Sequence, residues 1–311
     1  MTNDTIGVDI SKDHLDAHRS SDGASRRFGN DTKGHAAFID WLGQPGCRIV
    51  YEPTGPYHRA FERRLAQAGL ALVKVNPRQA RRFAEATGRL AKTDRLDAAM
   101  LARMGAVLDL EARPVRSPAL NDLKDLHMAR EALVKNRTAT KNRAKNLTLA
   151  ILKRHNGEQL RQIERQMAAI EAEIMAIIKA DPALARRFGI LVSIPGISAI
   201  TAFALLIDMP ELGTLENGQA ASLAGLAPAT RQSGKWTGRA FIRAGRANVR
   251  QALYMPALVA IRFNADLKAK YDRLKAAGKA SKVAITAVMR NLVILANALV
   301  TDNRTWQPSM H

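Results

Sequence analysis

The chain has 311 residues, a length that suggests about two domains, and its 47% hydrophobic content is that of a folded protein. Its 48 Lys and Arg against 28 Asp and Glu leave a formal net charge of +20, which favours a polyanionic partner over a merely basic or ribosome-associated protein. One cysteine excludes a disulfide framework, the seven histidines show no zinc spacing, and glycine loops of the Walker or dinucleotide type are absent.

From the N-terminus, Met-Thr-Asn-Asp-Thr carries no basic region and no signal-peptide core, so a cytoplasmic, nucleoid-associated protein is expected. Ile6–Ile10 is a short apolar strand. Leu15–Arg19 and Ser25–Phe28 follow polar turns as neighbouring strands. Thr32–Leu42 has helical spacing. Arg48–Glu52 is the next strand, His58–Ala68 an amphipathic helix and Leu70–Val75 a further strand. Arg78–Arg103 is mainly helical, with a break near Thr87-Gly88. Three strands, then strand–helix–strand, then helices, predict an α/β domain with a mixed sheet. Cys47, inside an apolar run, reads as a buried thiol in a chain suited to a reducing compartment.

Pro114 and Pro118 punctuate the chain. Between Ala119 and Ile178 there is no proline and a single glycine, Gly157. Leu123, Leu126, Leu133, Leu147 and Ile151 recur at helical intervals. Ile163, Met167, Ile170, Ile174 and Ile177 step by four, three, four and three, the pattern of a coiled-coil seam. The spacing predicts two long antiparallel helices turning near His155-Asn156-Gly157. Lys135, Arg137, Lys141, Arg143 and Lys145 on the first helix are either a solvated face or a nucleic-acid contact.

Asp181-Pro182 closes the arm, and the remainder reads as helical with an irregular stretch at 227–245. Phe188 to Ile207 is uncharged and long enough to span a bilayer, but Pro195-Gly196 at its centre fits two short helices about a turn, and no membrane partner is expected. Residues 186–311 hold 17 basic against 6 acidic side chains, a net of +11; residues 1–110 hold 17 against 13, a net of +4. Ser193-Ile194-Pro195-Gly196-Ile197-Ser198 has the form of a helix-hairpin-helix turn. It is either a phosphate-binding loop centred on Gly196 or a plain turn between packed helices. Next comes Thr230-Arg231-Gln232-Ser233-Gly234-Lys235-Trp236-Thr237-Gly238-Arg239, followed by Arg243, Arg246 and Arg250. Lys235, Arg239, Arg243, Arg246 and Arg250 are candidate phosphate contacts, and Trp236 is a stacking or anchoring residue. Ser233 is either a nucleophile or an ordinary loop serine beside that patch. Tyr254, with apolar neighbours at helical spacing, reads as a packed core tyrosine. His14 reads as a strand-surface residue.

Four acids carry the sharpest signal. Asp9 lies in the first strand, Glu52 ends a later one, and Asp94 and Asp97 stand three apart, on one face if their segment is helical. That order matches the ribonuclease H arrangement. Such a set would bind two Mg²⁺ ions at a scissile phosphate, because Mg²⁺ takes oxygen ligands and four carboxylates without metal are costly to bury.

Gly7-Val8-Asp9-Ile10-Ser11-Lys12, Tyr51-Glu52-Pro53-Thr54-Gly55 and Lys92-Thr93-Asp94-Arg95-Leu96-Asp97-Ala98 resemble the DEDD blocks of the insertion sequence 110 family of bacterial transposases. Ile194-Pro195-Gly196-Ile197, Leu223-Ala224-Gly225-Leu226-Ala227-Pro228, Gln232-Ser233-Gly234-Lys235 and Arg250-Gln251-Ala252-Leu253-Tyr254-Met255-Pro256-Ala257 resemble its C-terminal blocks, so the resemblance covers nearly the whole chain. It implies an α/β ribonuclease H-like domain of the Holliday-junction-resolvase type at 1–115, a helical coiled-coil arm at 116–182 and a mostly helical transposase domain at 183–311. It further implies that Asp9, Glu52, Asp94 and Asp97 are the DEDD metal ligands and Ser233 the catalytic serine, forming a phosphoserine link to DNA. Donor and target DNA, an element-encoded guide RNA and a homo-oligomer, dimer or tetramer, with sites shared between subunits are the implied partners. The expected activity is therefore a Mg²⁺-dependent DNA transposase or recombinase of an insertion sequence. A junction-resolving nuclease using water, or a non-enzymatic helical scaffold, is the alternative.

Overall fold

The computed structural model describes residues 4–43, 46–53, 55–88, 94–112, 117–230, 232–233, 236–238 and 240–308, without the side chains of Asp94, Arg95, Trp236 and Thr237. Two compact units, 1–116 and 117–311, divide the chain.

The N-terminal unit contains strands β1 (Thr5–Ile10), β2 (His14–Arg19) and β3 (Ser25–Gly29), helix α1 (Thr32–Leu42), β4 (Arg48–Tyr51), α2 (His58–Gln67), β5 (Ala71–Lys74), α3 (Pro77–Ala86) and α4 (Asp94–Val107). The sheet order is β3-β2-β1-β4-β5. Short polar turns let β1, β2 and β3 pair antiparallel, whereas β1, β4 and β5 are parallel because α1 and α2 cross over between them. Alternation then sorts the side chains by face. Ile6, Val8, Ile10, Leu15, Ile49 and Tyr51 pack with Phe38 of α1 and with Phe61 and Leu65 of α2. Val50 and Val73 pack on the opposite face with Met100, Leu101 and Met104 of α4. The mixed-sheet expectation holds, with every strand and helix within one or two residues of its sequence assignment up to α3. Asp31 caps α1 by accepting from the Gly34 N–H at 2.7 Å. Cys47 is buried, and burial raises its thiol pKa.

The C-terminal unit begins with α5 (Pro118–Ala144) and α6 (Ala150–Ala180), then α7 (Pro182–Val192), α8 (Ala199–Asp208) and α9 (Asn217–Leu223). Strands β6 (Pro228–Ala229), β7 (Gln232–Ser233), β8 (Trp236–Thr237) and β9 (Phe241–Ile242) precede α10 (Ala247–Ala252), α11 (Tyr254–Phe263), α12 (Ala265–Ala276) and α13 (Ser281–Thr301). Helices α5 and α6 are antiparallel: Arg130 Nε donates to Glu171 at 2.7 Å and Arg143 to Gln159 at 3.3 Å, pairings whose numbers run in opposite directions. The turn is not at residues 155–157. It falls at 145–149, and α6 runs straight through Gly157, whose helix cost of about 1 kcal/mol is small against the packing of a 31-residue helix. Ile151, expected in the apolar stripe, is 54% exposed beside that turn. Ile163, Met167, Ile174 and Ile178 are buried, so the stripe ends on Ile178, not Ile177.

Phe188–Ile207 folds as two helices around Pro195-Gly196, as expected. Among the described residues one helix, α13, is long and apolar enough to cross a membrane. Its apolar face is accounted for within the unit: Ile285, Val288, Leu292, Val293, Ala296 and Leu299 are buried in the main helical core.

Candidate active site

Helix α4 approaches the sheet more closely than side chains would allow. A Cβ on Gly7 would lie 1.9 Å from the Ala98 carbonyl oxygen and 2.4 Å from the Ala102 nitrogen. One on Gly105 would meet Val50 at 2.4 Å and Thr5 at 2.9 Å. Two glycines therefore create the contact, and they also fix its register. Thr5 lies against Gly105 and Gly7 against Ala98 and Ala102, so α4 runs back along β1. Asp9 is two residues further along β1, about 7 Å. About 7 Å back along α4 is four to five residues, at the helical rise of 1.5 Å. That step lands on the turn carrying Asp94 and Asp97.

Glu52 joins them by the parallel pairing of β1 and β4. The last paired rung is Val8 with Tyr51, and Asp9 and Glu52 are the next residues along each chain segment. Alternation puts Asp9 on the face of Gly7, and Glu52 on the face of Val50, which is the α4 face. Asp9, Glu52 and Asp97 are all half-buried. Asp94 opens α4, and its side chain lies outside the described residues.

A fifth acid was missed by sequence reasoning. Asp16 of β2 is directly opposite Asp9. Two like charges so placed repel, but Arg27 of β3 binds Asp16 bidentately, Nε at 3.0 Å and Nη2 at 2.9 Å. The guanidinium neutralises the Asp16 side of that rung. The antiparallel register was the only signal for it.

Asn30 was missed as well. Its amide donates to the Ser11 carbonyl at 2.8 Å and to the Tyr57 carbonyl at 3.1 Å, and its Oδ1 lies 2.8 Å from His35 Nε2. It thus ties together the loops that follow Asp9 and Glu52. Beneath Glu52, the buried Tyr51 hydroxyl bonds Glu62, whose Oε2 is 2.5 Å from Lys74 Nζ and 3.5 Å from His58 Nε2. Burial, then the Glu62 charge, push the phenol pKa far up. Burial, then Lys74, push His58 down, and burial lowers His35 also, so both imidazoles are held neutral.

In the C-terminal unit, the described residues between 228 and 242 form two nested antiparallel pairings. β6 pairs β9 at the base, and β7 pairs β8 further out, with Ser233 opposite Trp236. Ser233 is exposed. The two legs of this hairpin meet at Gly225 and Gly245, both left-handed (φ +70° and +69°). A Cβ on Gly245 would lie 2.2 Å from Gly225 Cα.

The candidate cations divide. Lys235 and Arg239, and the side chain of Trp236, lie outside the described residues. Arg243 is exposed. Arg250 Nη1 donates to the Ala244 carbonyl at 3.1 Å and reaches the Gly225 carbonyl at 3.5 Å, touching both legs. Arg246 is bidentate to Glu211 at 2.7 Å twice and also donates to the Asp208 carbonyl at 2.7 Å. Gly196 (φ +99°) is set against α11, where a Cβ would meet the Pro256 carbonyl at 2.6 Å. Ser193 accepts from the Trp306 N–H at 2.8 Å. These contacts give the turn a packing role. Tyr254 is not a core residue: it opens α11 at 42% exposure, because Pro256, Ala257 and Ala260 form the buried side of that helix. His14 is exposed on β2, as expected.

The donor chemistry of the acids suits a hard divalent cation, which takes carboxylate oxygens. Among the described residues no three Asp, Glu, His or Cys groups converge tightly enough to ligate an ion, and the Asp94 carboxylate is outside them. What fits is the backbone: the Gly7–Gly105 approach brings α4's first turn level with the ends of β1 and β4.

Comparison with known proteins gives the same order of parts. Residues 6–175 match a family model of the DEDD, IS110 type described as Transposase, and residues 189–272 match one described as Transposase IS116/IS110/IS902 family. The chain is 27% identical over 328 aligned positions to the pilin gene-inverting proteins of Moraxella bovis and Moraxella lacunata, covering all of both chains. It is 28% identical over 165 positions to an insertion element IS110 protein of Streptomyces coelicolor, covering 52% of this chain and 40% of that one.

Proposed function

Because the chain belongs to the IS110 family of transposases, enzymes that cut and rejoin DNA, we propose that it does so with a serine nucleophile in its C-terminal unit and a carboxylate-held metal in its N-terminal unit. The observation that carries this reading is the docking of α4 on β1 through Gly7 and Gly105, level with Asp9 and Glu52. The ribonuclease H-like fold that the DEDD domain implies has its mixed sheet here in the order β3-β2-β1-β4-β5.

Asp9, Glu52, Asp94 and Asp97 hold the family's divalent metal, in our reading Mg²⁺ as two ions. When bound it supplies positive charge at the scissile phosphate. Ser233 Oγ attacks phosphorus. The Ser–O–P bond forms, the bond from phosphorus to the 3′ oxygen breaks, and the serine proton is balanced by the proton taken up by the departing 3′-hydroxyl. Phosphate is held by exposed Arg243 together with Lys235 and Arg239. The antiparallel α5–α6 pair is the arm, and the chain works as a homo-oligomer. A net +11 over residues 186–311 supports binding of donor and target DNA and of an element-encoded RNA. The gene-inverting relatives act, by their names, on a pilin gene; inversion needs the same two steps of strand cleavage and rejoining.

Two variants test the reading. With Mg²⁺ and element-end duplex DNA, Ser233→Ala abolishes covalent protein–DNA adducts, and Asp9→Asn lowers adduct formation by at least about a thousandfold while DNA binding persists. Adducts surviving in Ser233→Ala would sink the serine; free 5′-phosphate ends without adducts would instead establish water as the nucleophile. RNA recovered with the purified protein and mapping beside its gene is the expected sign of the guide.

A further inference from the structure

We infer that Arg246 and Glu211 are a positioning pair for the hairpin that carries Ser233, and that Arg246 is not a phosphate contact. The inference rests on the proposed role of Ser233. Arg246 sits at the junction where the returning leg of the hairpin becomes α10, and its own N–H donates to the Leu223 carbonyl at 2.8 Å, on the outgoing side. Its side chain spends three donors at 2.7 Å: two on the Glu211 carboxylate and one on the Asp208 carbonyl. A phosphate would have to displace a bidentate carboxylate to reach it.

The partner side is itself pinned. Arg187 donates to the Pro210 and Leu212 carbonyls at 2.9 and 2.7 Å, on either side of Glu211. Buried Asn297 of α13 accepts from the Gly213 N–H at 2.8 Å and donates to the Leu215 carbonyl at 2.7 Å. Asp208 closes α8 and faces His127 of α5, whose Nε2 is 3.6 Å from Asp208 Oδ2. Residues 208–215 are thus a fixed post, tied to α5, α7 and α13, and Arg246 is the bidentate strut from that post to the hairpin, beside Asn248 of α10, whose side chain bonds Asp208.

The strut matters because of leverage. Ser233 is eight residues from Gly225, a reach of at most about 28 Å. At half that reach, a tilt of about 4° at the base moves the tip by roughly 1 Å. A misplacement of that size costs on the order of a hundredfold in rate. Two glycine backbones in contact at the base place no side chains there to resist such a tilt. Arg250, reaching the carbonyls of both legs, holds them together but does not tie them to the post.

The test uses the full chain and two variants that keep size. Arg246→Lys keeps the charge and loses the fork; Glu211→Gln keeps the shape and loses the charge. Both should speed hydrogen exchange at the amides of Ala229, Phe241 and Ile242 by about tenfold or more. Both should slow single-turnover adduct formation at saturating element-end DNA by about ten- to a hundredfold, with DNA affinity within about twofold of the parent. If Arg246→Lys matches the parent in exchange and rate, the inference is overturned; if Glu211→Gln binds DNA more tightly at unchanged rate, it is overturned in favour of a phosphate contact at Arg246. Exchange needs no chemistry, so it still judges the strut if Ser233→Ala shows that another group is the nucleophile.

Discussion

The two candidate halves of the chemistry are built on opposite principles. The acids of the N-terminal unit stand at the ends of adjacent parallel strands and on a helix docked so closely that a methyl group does not fit between. Ser233 stands on a pair of two-residue strands, exposed, with two glycines at the base. Metal ligands need fixed oxygens, and a sheet with a clamped helix provides them. A nucleophile has to meet a bulky polymer, and a narrow hairpin can reach one that a buried serine could not. The difference implies that rigidity is intrinsic to the first region and borrowed by the second, from Arg246, Arg250 and the 208–215 post.

The contrast can be broken from the rigid side first. Gly7→Ala puts a methyl 1.9 Å from a helix carbonyl, which cannot move without α4. The expected cost is about 3 kcal/mol or more, with loss of cleavage because Asp94 and Asp97 move with the helix; chemical denaturation and a cleavage assay check both. A variant as stable and active as the parent would remove the basis for the acid site.

Gly245→Ala tests the other side. A left-handed alanine costs about 1 kcal/mol, and its Cβ would collide with Gly225 Cα. The hairpin gives way while the helical core stays, so thermal stability should fall less than in Gly7→Ala while adduct formation is lost. Equal losses of stability in the two variants would contradict the contrast. Asn30→Ala frees the carbonyls of Ser11 and Tyr57 and should cost about 1–2 kcal/mol, with weaker metal binding seen as a higher Mg²⁺ concentration for half-maximal cleavage.

The smallest effect is in pH. His35 and His58 have folded-state pKa values below the ordinary 6.5, first because of burial. Their neutral forms are favoured in the fold, so this stability is complete above about pH 6.5 and is lost as pH falls through the lowered values. The denaturation midpoint of the N-terminal unit should be lower at pH 5 than at pH 7, and less so in His35→Gln. A midpoint unchanged over that range would show that neither imidazole is held neutral.

Much of this was legible in the residues. Gly7-Val8-Asp9 and Tyr51-Glu52 read as strand ends, and they are, because alternation and short apolar runs are local signals. The helical spacing of Phe38, Ile39 and Leu42 places Thr32–Leu42 to the residue, and in the fold Asp31 caps that helix and Gly43 ends it. The α5–α6 turn was misplaced because Gly157 looked like a break, yet a lone glycine is tolerated in a helix packed along its length. Tyr254 was misread because apolar neighbours do not say which side of a helix is covered. Asp16 with Arg27, and Asn30 with its two carbonyls, are joined across strands and loops, and no window of sequence holds them together.

The sequence by itself determined the strand and helix periods, the cationic balance and the order of acids and serine, since each depends only on neighbouring residues or on counting. The tertiary structure decided which charges are available. Arg246 and Arg243 are equivalent in the sequence, three residues apart in one basic run. Folding brings Glu211 from 35 residues away to Arg246 and leaves Arg243 in water. A guanidinium binds whichever carboxylate or phosphate meets its fork, and only the fold fixes what stands there.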